Sequence, residues 1–295
     1  MTNQGNRAVT IDVDRLMTSG IVTSRQAYTR RDASLYALSI GFGTDPLNEL
    51  ELDFVTDRPT FKSVPTMAAI FADVIMDLTD ACQLQHPELA LHGEQRLEIY
   101  SPLPDVAALD IQGSIAAVYD RGPRRGAEIH MLAEARLQGE AAPLYRATYV
   151  TIARGDGGFG GDKPDRSVRD DRIPAGVPGT VWEFPIGRNQ ALLYSLNGDP
   201  NPIHTQPHTA KQAGFDAPIL HGLGTYGMAC RAVLMTFCGG NSAAIRSFDV
   251  RFSAPVFPGD TLAVDMWRLA DGVAFQARVL ERDVVVLKNG FSRIT

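Results

Sequence analysis

Residues 191–229 read ALLYSLNGDPNPIHTQPHTAKQAGFDAPILHGLGTYGMA and bring an acid, an amide and a base close together in the chain. These are Asp199, Asn201 and His204, and Gly222 follows eighteen residues after His204 in a glycine-studded apolar segment. The first four N–H groups of a helix have no intrahelical partner, so a helix that begins at Gly222 would offer free donors and a positive dipole end. The stretch therefore predicts a short helix, a polar loop and a buried central helix.

Prolines and a glycine restrict the backbone of the polar loop. Gly198 can end the preceding helix in a left-handed conformation, and Pro200 and Pro202 push Asp199 and Asn201 into extended backbone. A loop stiffened in this way holds its side chains in place at a low entropy cost. An Asp–His pair beside a bound water is a general acid/base arrangement, because histidine titrates near neutrality and a carboxylate can orient the water.

Each of these signals also has a purely structural interpretation. A DPNP segment taken alone is usually a tight turn, and an isolated histidine is more often structural than catalytic. Gly222 and Gly224 could merely allow a helix to pack closely on a sheet. His204 and His208 are spaced like a pair of metal ligands, but no third ligand stands at a familiar spacing and HExxH is absent. We therefore predict no metal.

The order of elements around this stretch occurs twice in the chain. Residues 187–199 parallel 30–45, residues 217–235 parallel 62–76, and residues 251–260 parallel 96–105. Two copies in the same order imply a duplication, and a sheet wrapped around one long apolar helix is a hot-dog-like α+β architecture. We predict an N-terminal repeat over 1–154, a linker rich in glycine, proline and charge over 155–179, and a C-terminal repeat over 180–295.

The first copy gives the clearest local predictions. Thr29 and Asp32 form a capping-box variant that opens a short helix, residues 50–55 alternate like a strand, and Pro65 precedes a predicted buried central helix over 66–78. Strand-like runs follow over 93–103, 114–122, 126–137 and 144–154, although the third could be a helix by composition. Three further strands are predicted over 261–270, 272–281 and 283–292.

One glycine motif points to a different class of protein. Residues 155–160, GDGGFG, fit GxGxxG, but a dinucleotide site needs a helix to follow at once, and GDKPDRS follows instead. We therefore do not predict a nucleotide cofactor.

Bulk composition limits the function classes. The 295 residues are 44% hydrophobic with a net charge of −6, which is typical of a soluble globular protein and favours neither nucleic acid nor an anionic membrane. No apolar run reaches ~18 residues, and no secretory signal is recognised. The three cysteines, Cys82, Cys230 and Cys238, are sparse and apolar-flanked, so we expect them to be reduced core residues and the protein to be cytoplasmic.

Taken together, YSLNGDPNPIH and the glycine of ILHGLGTYG are similar to the hydratase 2 motif of MaoC-like (R)-specific enoyl-CoA hydratases. The two-repeat form resembles the hydratase portion of peroxisomal multifunctional enzymes type 2, through segments such as YALSIGFGTDPL, RGDGGFGG and RFSAPVFPGDTL. The resemblance covers nearly the whole chain. It implies a double hot-dog fold, syn addition of water to a trans-2-enoyl-CoA to give a (3R)-3-hydroxyacyl-CoA, no cofactor beyond the CoA of the substrate, and a homodimer.

The same resemblance implies roles for individual residues. Asp199 and His204 would be the acid/base pair that holds the water, Asn201 a supporting residue, and the Gly222 amide the oxyanion donor. The residues implied along the substrate path are His92, Gly93, Arg121, Pro200, Pro202, Ile203 and Phe252.

Arg121 stands where the family often has a lysine that contacts CoA, and arginine differs from lysine in geometry. With Arg124 and Arg125 it forms the basic segment RGPRRG, which either meets the CoA phosphates or is a solvated hairpin turn.

The first copy departs from the motif. Its counterpart, FGTDPLNEL, keeps Asp45 and Pro46 but has Leu50 where a histidine would stand. We therefore expect the first copy to be catalytically dead and to shape a pocket for a longer or bulkier acyl chain. Two other functions stay open, a hot-dog acyl-CoA thioesterase and a non-catalytic acyl-CoA-binding subunit.

Overall fold

The computed structural model describes residues 11–164 and 173–295, so part of the predicted linker and the first ten residues lie outside the described residues. The described residues contain ten strands. In chain order they are β1 Val22–Tyr28, β2 Ala90–Ile99, β3 Ala107–Asp120, β4 Ala127–Leu137, β5 Pro143–Ala153, β6 Thr180–Pro185, β7 Asp249–Phe252, β8 Thr261–Leu269, β9 Gly272–Val279 and β10 Val284–Ser292.

All ten strands form one antiparallel sheet in the order β1-β3-β4-β5-β2-β7-β10-β9-β8-β6. Each half of the chain supplies five strands in the same internal order, since β1, β3, β4, β5 and β2 correspond to β6, β8, β9, β10 and β7. The halves join through a short β2–β7 ladder, Glu94 opposite Arg251 and Gln95 opposite Val250. This repeated topology is what a duplication produces, and the join brings the ends of β2 and β7 beside each other.

Seven α-helices and four 3-10 segments pack with the sheet in the described residues. The α-helices are α1 Val13–Met17, α2 Arg30–Ser39, α3 Glu49–Leu52, α4 Asp73–Ala81, α5 Gln190–Ser195, α6 Pro207–Gln212 and α7 Gly222–Phe237. The 3-10 segments are Pro65–Ile70, Pro87–Leu89, Pro202–His204 and Ser242–Ala244. None of the helices described is both long and apolar enough to cross a membrane.

Helix α7 is the central helix of the second half, and it begins at Gly222 as predicted. Every residue from Gly224 to Leu234 is buried, which explains why the segment is apolar on nearly all sides. It packs against β8, β10 and the 3-10 segment Pro65–Ile70 of the first half. The central segments of the two halves therefore touch.

The single central helix predicted for the first half, residues 66–78, is wrong. The chain forms the 3-10 segment Pro65–Ile70, breaks, and continues as α4. The carbonyl of Ala69 accepts the Tyr149 hydroxyl at 2.6 Å, and Phe71 at the break stacks on Tyr28 with ring centroids 5.2 Å apart. At the break, these contacts with distant residues replace the backbone hydrogen bonds between residues i and i−4 that a continuous helix would have.

The strand predicted over 50–55 is also wrong, because this segment contains α3. The Asn48 carbonyl accepts the N–H groups of Glu51 and Leu52 at 3.0 and 3.2 Å, which closes a helical turn. Alternation over only six residues fits one turn of helix as well as a strand. The Thr29–Asp32 capping box of α2 and the four strands predicted between 93 and 154 are confirmed, including the strand over 126–137, which is β4.

The glycine motif at 155–160 does not open a helix. The Asp120 carboxylate at the end of β3 accepts the N–H groups of Gly122 at 2.7 Å, Gly158 at 2.8 Å and Gly160 at 2.6 Å. Burial alone would raise the pKa of Asp120, but these donors hold that pKa below its ordinary value. Two N–H groups of this glycine-rich loop already bind a carboxylate of the chain itself, so the loop gives no support to a nucleotide site.

Candidate active site

The polar loop between α5 and α6 is a tight turn that also presents the acid and the base. Gly198 adopts a φ of +101° after α5, which is the left-handed conformation predicted for it. The Asp199 carboxylate accepts the Asn201 N–H at 3.1 Å, and the Asn201 side-chain oxygen accepts the Ile203 N–H at 3.2 Å. These bonds lead into the 3-10 segment Pro202–His204. The segment is therefore a tight turn, and the same turn presents the side chains of the predicted acid/base site.

His204 has one ring nitrogen fixed and the other left for chemistry. Its Nδ1 lies 2.9 Å from the Ile219 carbonyl, which can only accept, so Nδ1 carries the proton in the neutral ring. Burial lowers the pKa of His204, and the Ile219 bond and the Asp199 charge oppose that shift. At neutral pH the imidazole is therefore uncharged, with Nε2 as a proton acceptor.

The structure adds a residue that sequence reasoning missed. The ring of His221 stacks on that of His204, with centroids 3.8 Å apart and an interplanar angle of 28°. His221 is 1% exposed, and its Nε2 lies 3.3 Å from the Asp199 carbonyl oxygen and 3.9 Å from its Oδ2. Burial, and secondarily the neighbouring His204, lower the pKa of His221 to about 4. The sequence feature that could have identified His221 is its position directly before Gly222, at the cap of the predicted helix.

Asp199, His204 and His221 are also the residues of this site that could hold a metal. Their potential ligand atoms all lie within 4.8 Å of one another, whereas His208, the partner considered from spacing, is exposed on α6 and not part of this group. The two imidazoles stack face to face, and the absence of a metal stays our prediction.

Gly222 lies where α7 begins, beside this cluster. The His221 carbonyl accepts the N–H groups of Gly224 and Thr225 at 3.0 and 3.1 Å, which leaves the Gly222 N–H at the open end of the helix. A Cβ on Gly222 would lie 3.3 Å from the Phe252 ring, and one on Gly224 would lie 3.2 Å from the Tyr194 ring. Close packing therefore accounts for both glycines, and it leaves the Gly222 amide available to a ligand.

The first half contributes to the same region through β2. The His92 ring lies 4.9 Å from that of Phe252 and 5.5 Å from that of Tyr149, centroid to centroid. Burial lowers the pKa of His92 to about 4, and the Asp199 charge is among the effects that oppose this shift. Gly93 is the bulge of β2 against β5, and a Cβ there would lie 2.6 Å from Ile152 Cγ1. His92, Phe252 and Gly222 thus form a continuous wall across the join between the halves.

Comparison with known proteins identifies the family. Residues 26–155 match the MFE-2 hydratase 2 N-terminal domain, and residues 171–289 match the MaoC like domain. The chain is 37% identical over 290 residues to enoyl-CoA hydratase 2, peroxisomal, of Arabidopsis thaliana, with 93% of each chain covered. The chain belongs to the MaoC-like hydratase 2 family.

Solved structures agree on the fold of this family member. A MaoC-like dehydratase from Phytophthora capsici superposes with a TM-score of 0.87 at 32% identity, covering 97% of this chain and 98% of that one. A Mycobacterium tuberculosis protein described as having a double hot-dog fold gives a TM-score of 0.57 at 15% identity over 93% of this chain and 95% of that one, a likeness of fold alone. The family and the double hot-dog fold predicted from the sequence are confirmed.

Arg121 of this MaoC-like chain is not part of the acid/base cluster. It follows β3, three strands away from β2 in the sheet, and its Nε lies 3.8 Å from the buried Glu128 carboxylate. Arg124 and Arg125 are exposed in the adjoining turn. The predicted basic segment is therefore divided between one partly buried arginine and two exposed ones.

The first repeat of this family member lacks the dyad and uses its loop differently. Asp45 accepts the Leu47 N–H at 2.9 Å, and Leu50 is exposed. The next residue, Glu51, is buried and pairs with Arg231 of α7, with its Oε1 2.7 Å from both Nε and Nη2. The first-half counterpart of the loop that carries the acid and base thus contacts the central helix of the second half.

Proposed function

We propose that the chain is a hydro-lyase that adds water to a trans-2-enoyl-CoA to form a (3R)-3-hydroxyacyl-CoA, and that it also catalyses the reverse dehydration. The observation that carries the proposal is a neutral His204, with Nε2 unprotonated, on the same short loop as Asp199 and beside the first N–H groups of α7. The family supports it, since a relative that is 37% identical is named enoyl-CoA hydratase 2.

In this proposal each group has one task. Asp199 and His204 hold a water whose oxygen bonds to C3 of the enoyl group as the C2=C3 double bond opens. One proton of that water passes to the dyad, the dyad delivers one proton to C2, and the second proton of the water stays on the new 3-hydroxyl. One loop supplies both, so the oxygen and the proton add from the same face, which is syn addition. The Gly222 N–H donates to the thioester oxygen, where negative charge develops, and a helix N-terminus stabilises that charge. Asn201 holds the loop through its bond to Ile203.

The substrate path in this proposal crosses the join between the halves. His92, Gly93 and Phe252 line its acyl part, and Pro200, Pro202 and Ile203 border it from the loop side. Arg121, Arg124 and Arg125 are the cations at the end of β3 that could meet the CoA phosphates.

The test offers crotonyl-CoA and longer enoyl-CoAs without added cofactor, and it follows loss of the conjugated absorbance and the hand of the product. Asp199→Asn and His204→Gln should each lower the rate by about 10²- to 10⁴-fold, the usual contribution of general acid/base catalysis. His208→Gln is the matched control, because this histidine is exposed on α6. Near wild-type rates in the first two variants would show that the dyad is wrongly assigned, and a 3S product would overturn the stereochemistry.

The same assay separates the rival functions. Release of free CoA thiol from a saturated acyl-CoA would favour the thioesterase, and binding without turnover would favour a non-catalytic subunit. Full activity in the presence of a chelator is expected, because no step of the proposal uses a metal.

A homodimer and a cytoplasmic location are further proposals. Sedimentation of the purified protein should give about twice the mass of one chain, and a monomer would contradict the dimer. The Arabidopsis relative is named peroxisomal, so fractionation of the source cells decides between the two compartments.

A further inference from the structure

We infer that His221 is a positioning residue of this acid/base site, which sets the ring plane of His204 and ties the Asp199 backbone to the start of α7. The inference rests on the proposed hydratase function for its consequence on rate, and on the contacts of His221 for its physical basis.

The first contact is the ring stack. Among the described residues, the ring of His204 makes one hydrogen bond, from Nδ1 to the Ile219 carbonyl, and this single bond does not by itself fix the tilt of the ring. The imidazole of His221 covers one face of it at a centroid distance of 3.8 Å. A flat group at that distance fixes the ring plane and hence the direction in which Nε2 points. It also keeps water from that face.

The second contact is with the acid. Nε2 of His221 lies 3.3 Å from the Asp199 carbonyl, and because a carbonyl can only accept, Nε2 carries the proton of the neutral ring. The carboxylate of the same residue is half-exposed, with Oδ2 3.9 Å from this nitrogen. His221 thus holds the backbone of the acid while the carboxylate stays open to the substrate water.

The third contact joins these residues to the helix. The carbonyl of His221 caps α7 by accepting the N–H groups of Gly224 and Thr225. One residue therefore positions the base with its ring face, the acid with its ring N–H and the helix start with its backbone. A change in its side chain moves the dyad relative to the amide of Gly222.

Two buried polar atoms beside the stack show that the position of His221 is held by its surroundings. Nδ1 of His221 and the hydroxyl of Tyr194 on α5 have no hydrogen-bond partner among the described residues, and the two rings lie 4.8 Å apart. Burial of a polar atom without a partner costs free energy. The arrangement persists because packing and the Asp199 contact fix His221 in place.

Titratable groups from three elements lie around the dyad. Asp199 on its own loop favours the protonated ring, whereas His221 from the cap of α7 buries one face and disfavours it. On the side of β2, His92 is itself held neutral by burial. Removal of the His221 ring should admit water and raise the pKa of His204, while a phenyl ring in its place should leave that pKa nearly unchanged.

The experiment compares His221→Phe with His221→Ala, with His208→Gln as the exposed control. His221→Phe keeps the ring and loses the donor to Asp199, so kcat should fall about 10-fold with the acid limb of the pH–rate profile unmoved. In His221→Ala, kcat should fall about 100-fold, as expected for a misplacement near 1 Å, and the acid limb should move to higher pH. KM should change less than threefold in both, and thermal unfolding shows whether each variant is folded.

A readout without turnover separates this inference from the proposed function. Nitrogen-15 NMR of the imidazoles should show His204 protonated on Nδ1 in the wild type, with its pKa raised in His221→Ala and unchanged in His221→Phe. Wild-type protein that fails to hydrate enoyl-CoAs but shows this NMR pattern would refute the hydratase and leave the positioning role intact. If His221→Phe keeps full kcat and the two variants give the same His204 titration as wild type, His221 does not position the dyad.

Discussion

The ion pair between Glu51 and Arg231 gives a stability prediction that can be worked from the structure. The side chains are 1% and 8% exposed, and Nε and Nη2 of Arg231 each lie 2.7 Å from Oε1 of Glu51. The second oxygen of the carboxylate accepts the Gly43 N–H at 2.9 Å. Burial lowers the pKa of Arg231, and the charge of Glu51 opposes that shift. Glu51→Gln would therefore leave a guanidinium buried without a countercharge.

Removal of one partner of a buried ion pair costs about 3–5 kcal/mol. For Glu51→Gln, two features favour a cost near the lower end of this range. The guanidinium carbon lies 5.3–5.6 Å from the ring centroids of Phe42, Trp182 and Phe184, and each such contact contributes roughly 0.5–2 kcal/mol that the variant keeps. The amide oxygen of glutamine can still accept one hydrogen bond from Arg231. We expect a loss of about 3 kcal/mol, which for a chain of this size lowers Tm by about 6–12 °C.

The assay is urea and thermal unfolding of five proteins, which are the wild type, Asp110→Asn, Glu51→Gln, Arg231→Met and the variant that combines the last two changes. Asp110→Asn is the matched control, because it breaks the 3.0 Å pair with Arg25, whose side chains are 78% (Arg25) and 40% (Asp110) exposed, and should cost under ~1 kcal/mol. Glu51→Gln combined with Arg231→Met removes both buried charges and should recover most of the loss. If Glu51→Gln costs no more than Asp110→Asn, or if the double variant is simply additive, the buried pair does not stabilise the fold as argued.

Three further predictions follow from single sites. Gly222→Ala should lower kcat, because its Cβ would lie 3.3 Å from the Phe252 ring and displace it, and steady-state kinetics of an unchanged enzyme would contradict this. Leu50→Ala should keep normal activity, since Leu50 is exposed where the second copy has its base, and a large loss of rate would place chemistry in the first copy. Native His92 and His221 have pKa values lowered to about 4, whereas an unfolded histidine titrates near 6.5. The unfolded chain therefore binds more protons between these values, so stability present above pH 6.5 should be lost as pH falls toward about 4, and Tm measured against pH should decline less steeply in His92→Phe.

The elements that could be predicted from sequence are those whose signal is local. The start of α7 follows from the glycines at 222 and 224 and the apolar segment behind them, and β4 follows from its alternation and its flanking strands. The break at Phe71 could not be predicted, because the Ala69 carbonyl turns to the hydroxyl of Tyr149, eighty residues away in the chain.

The same distinction applies to the site. Asp199, Asn201 and His204 stand within six residues, so their proximity is a property of the loop. His221 is seventeen residues from His204, and only the return of the chain at the Ile219 carbonyl places the two rings face to face. Glu51 is a more extreme case, since its partner Arg231 is 180 residues away and nothing near either residue indicates the other.

The two copies of the loop have diverged toward complementary tasks on the same helix. In the second half, the loop residues Asp199 and His204 reach the N-terminal end of α7 through His221. In the first half, Glu51, one residue after the position that lost its histidine, pairs with Arg231 near the middle of that helix. A donor at a helix terminus stabilises developing charge only if the helix axis keeps its direction, and small displacements in such sites lower rates steeply. Contacts at the start and the middle of α7 together fix that axis, so in the proposed reaction we expect the first-half loop to contribute by holding the helix that the loop of Asp199 and His204 faces.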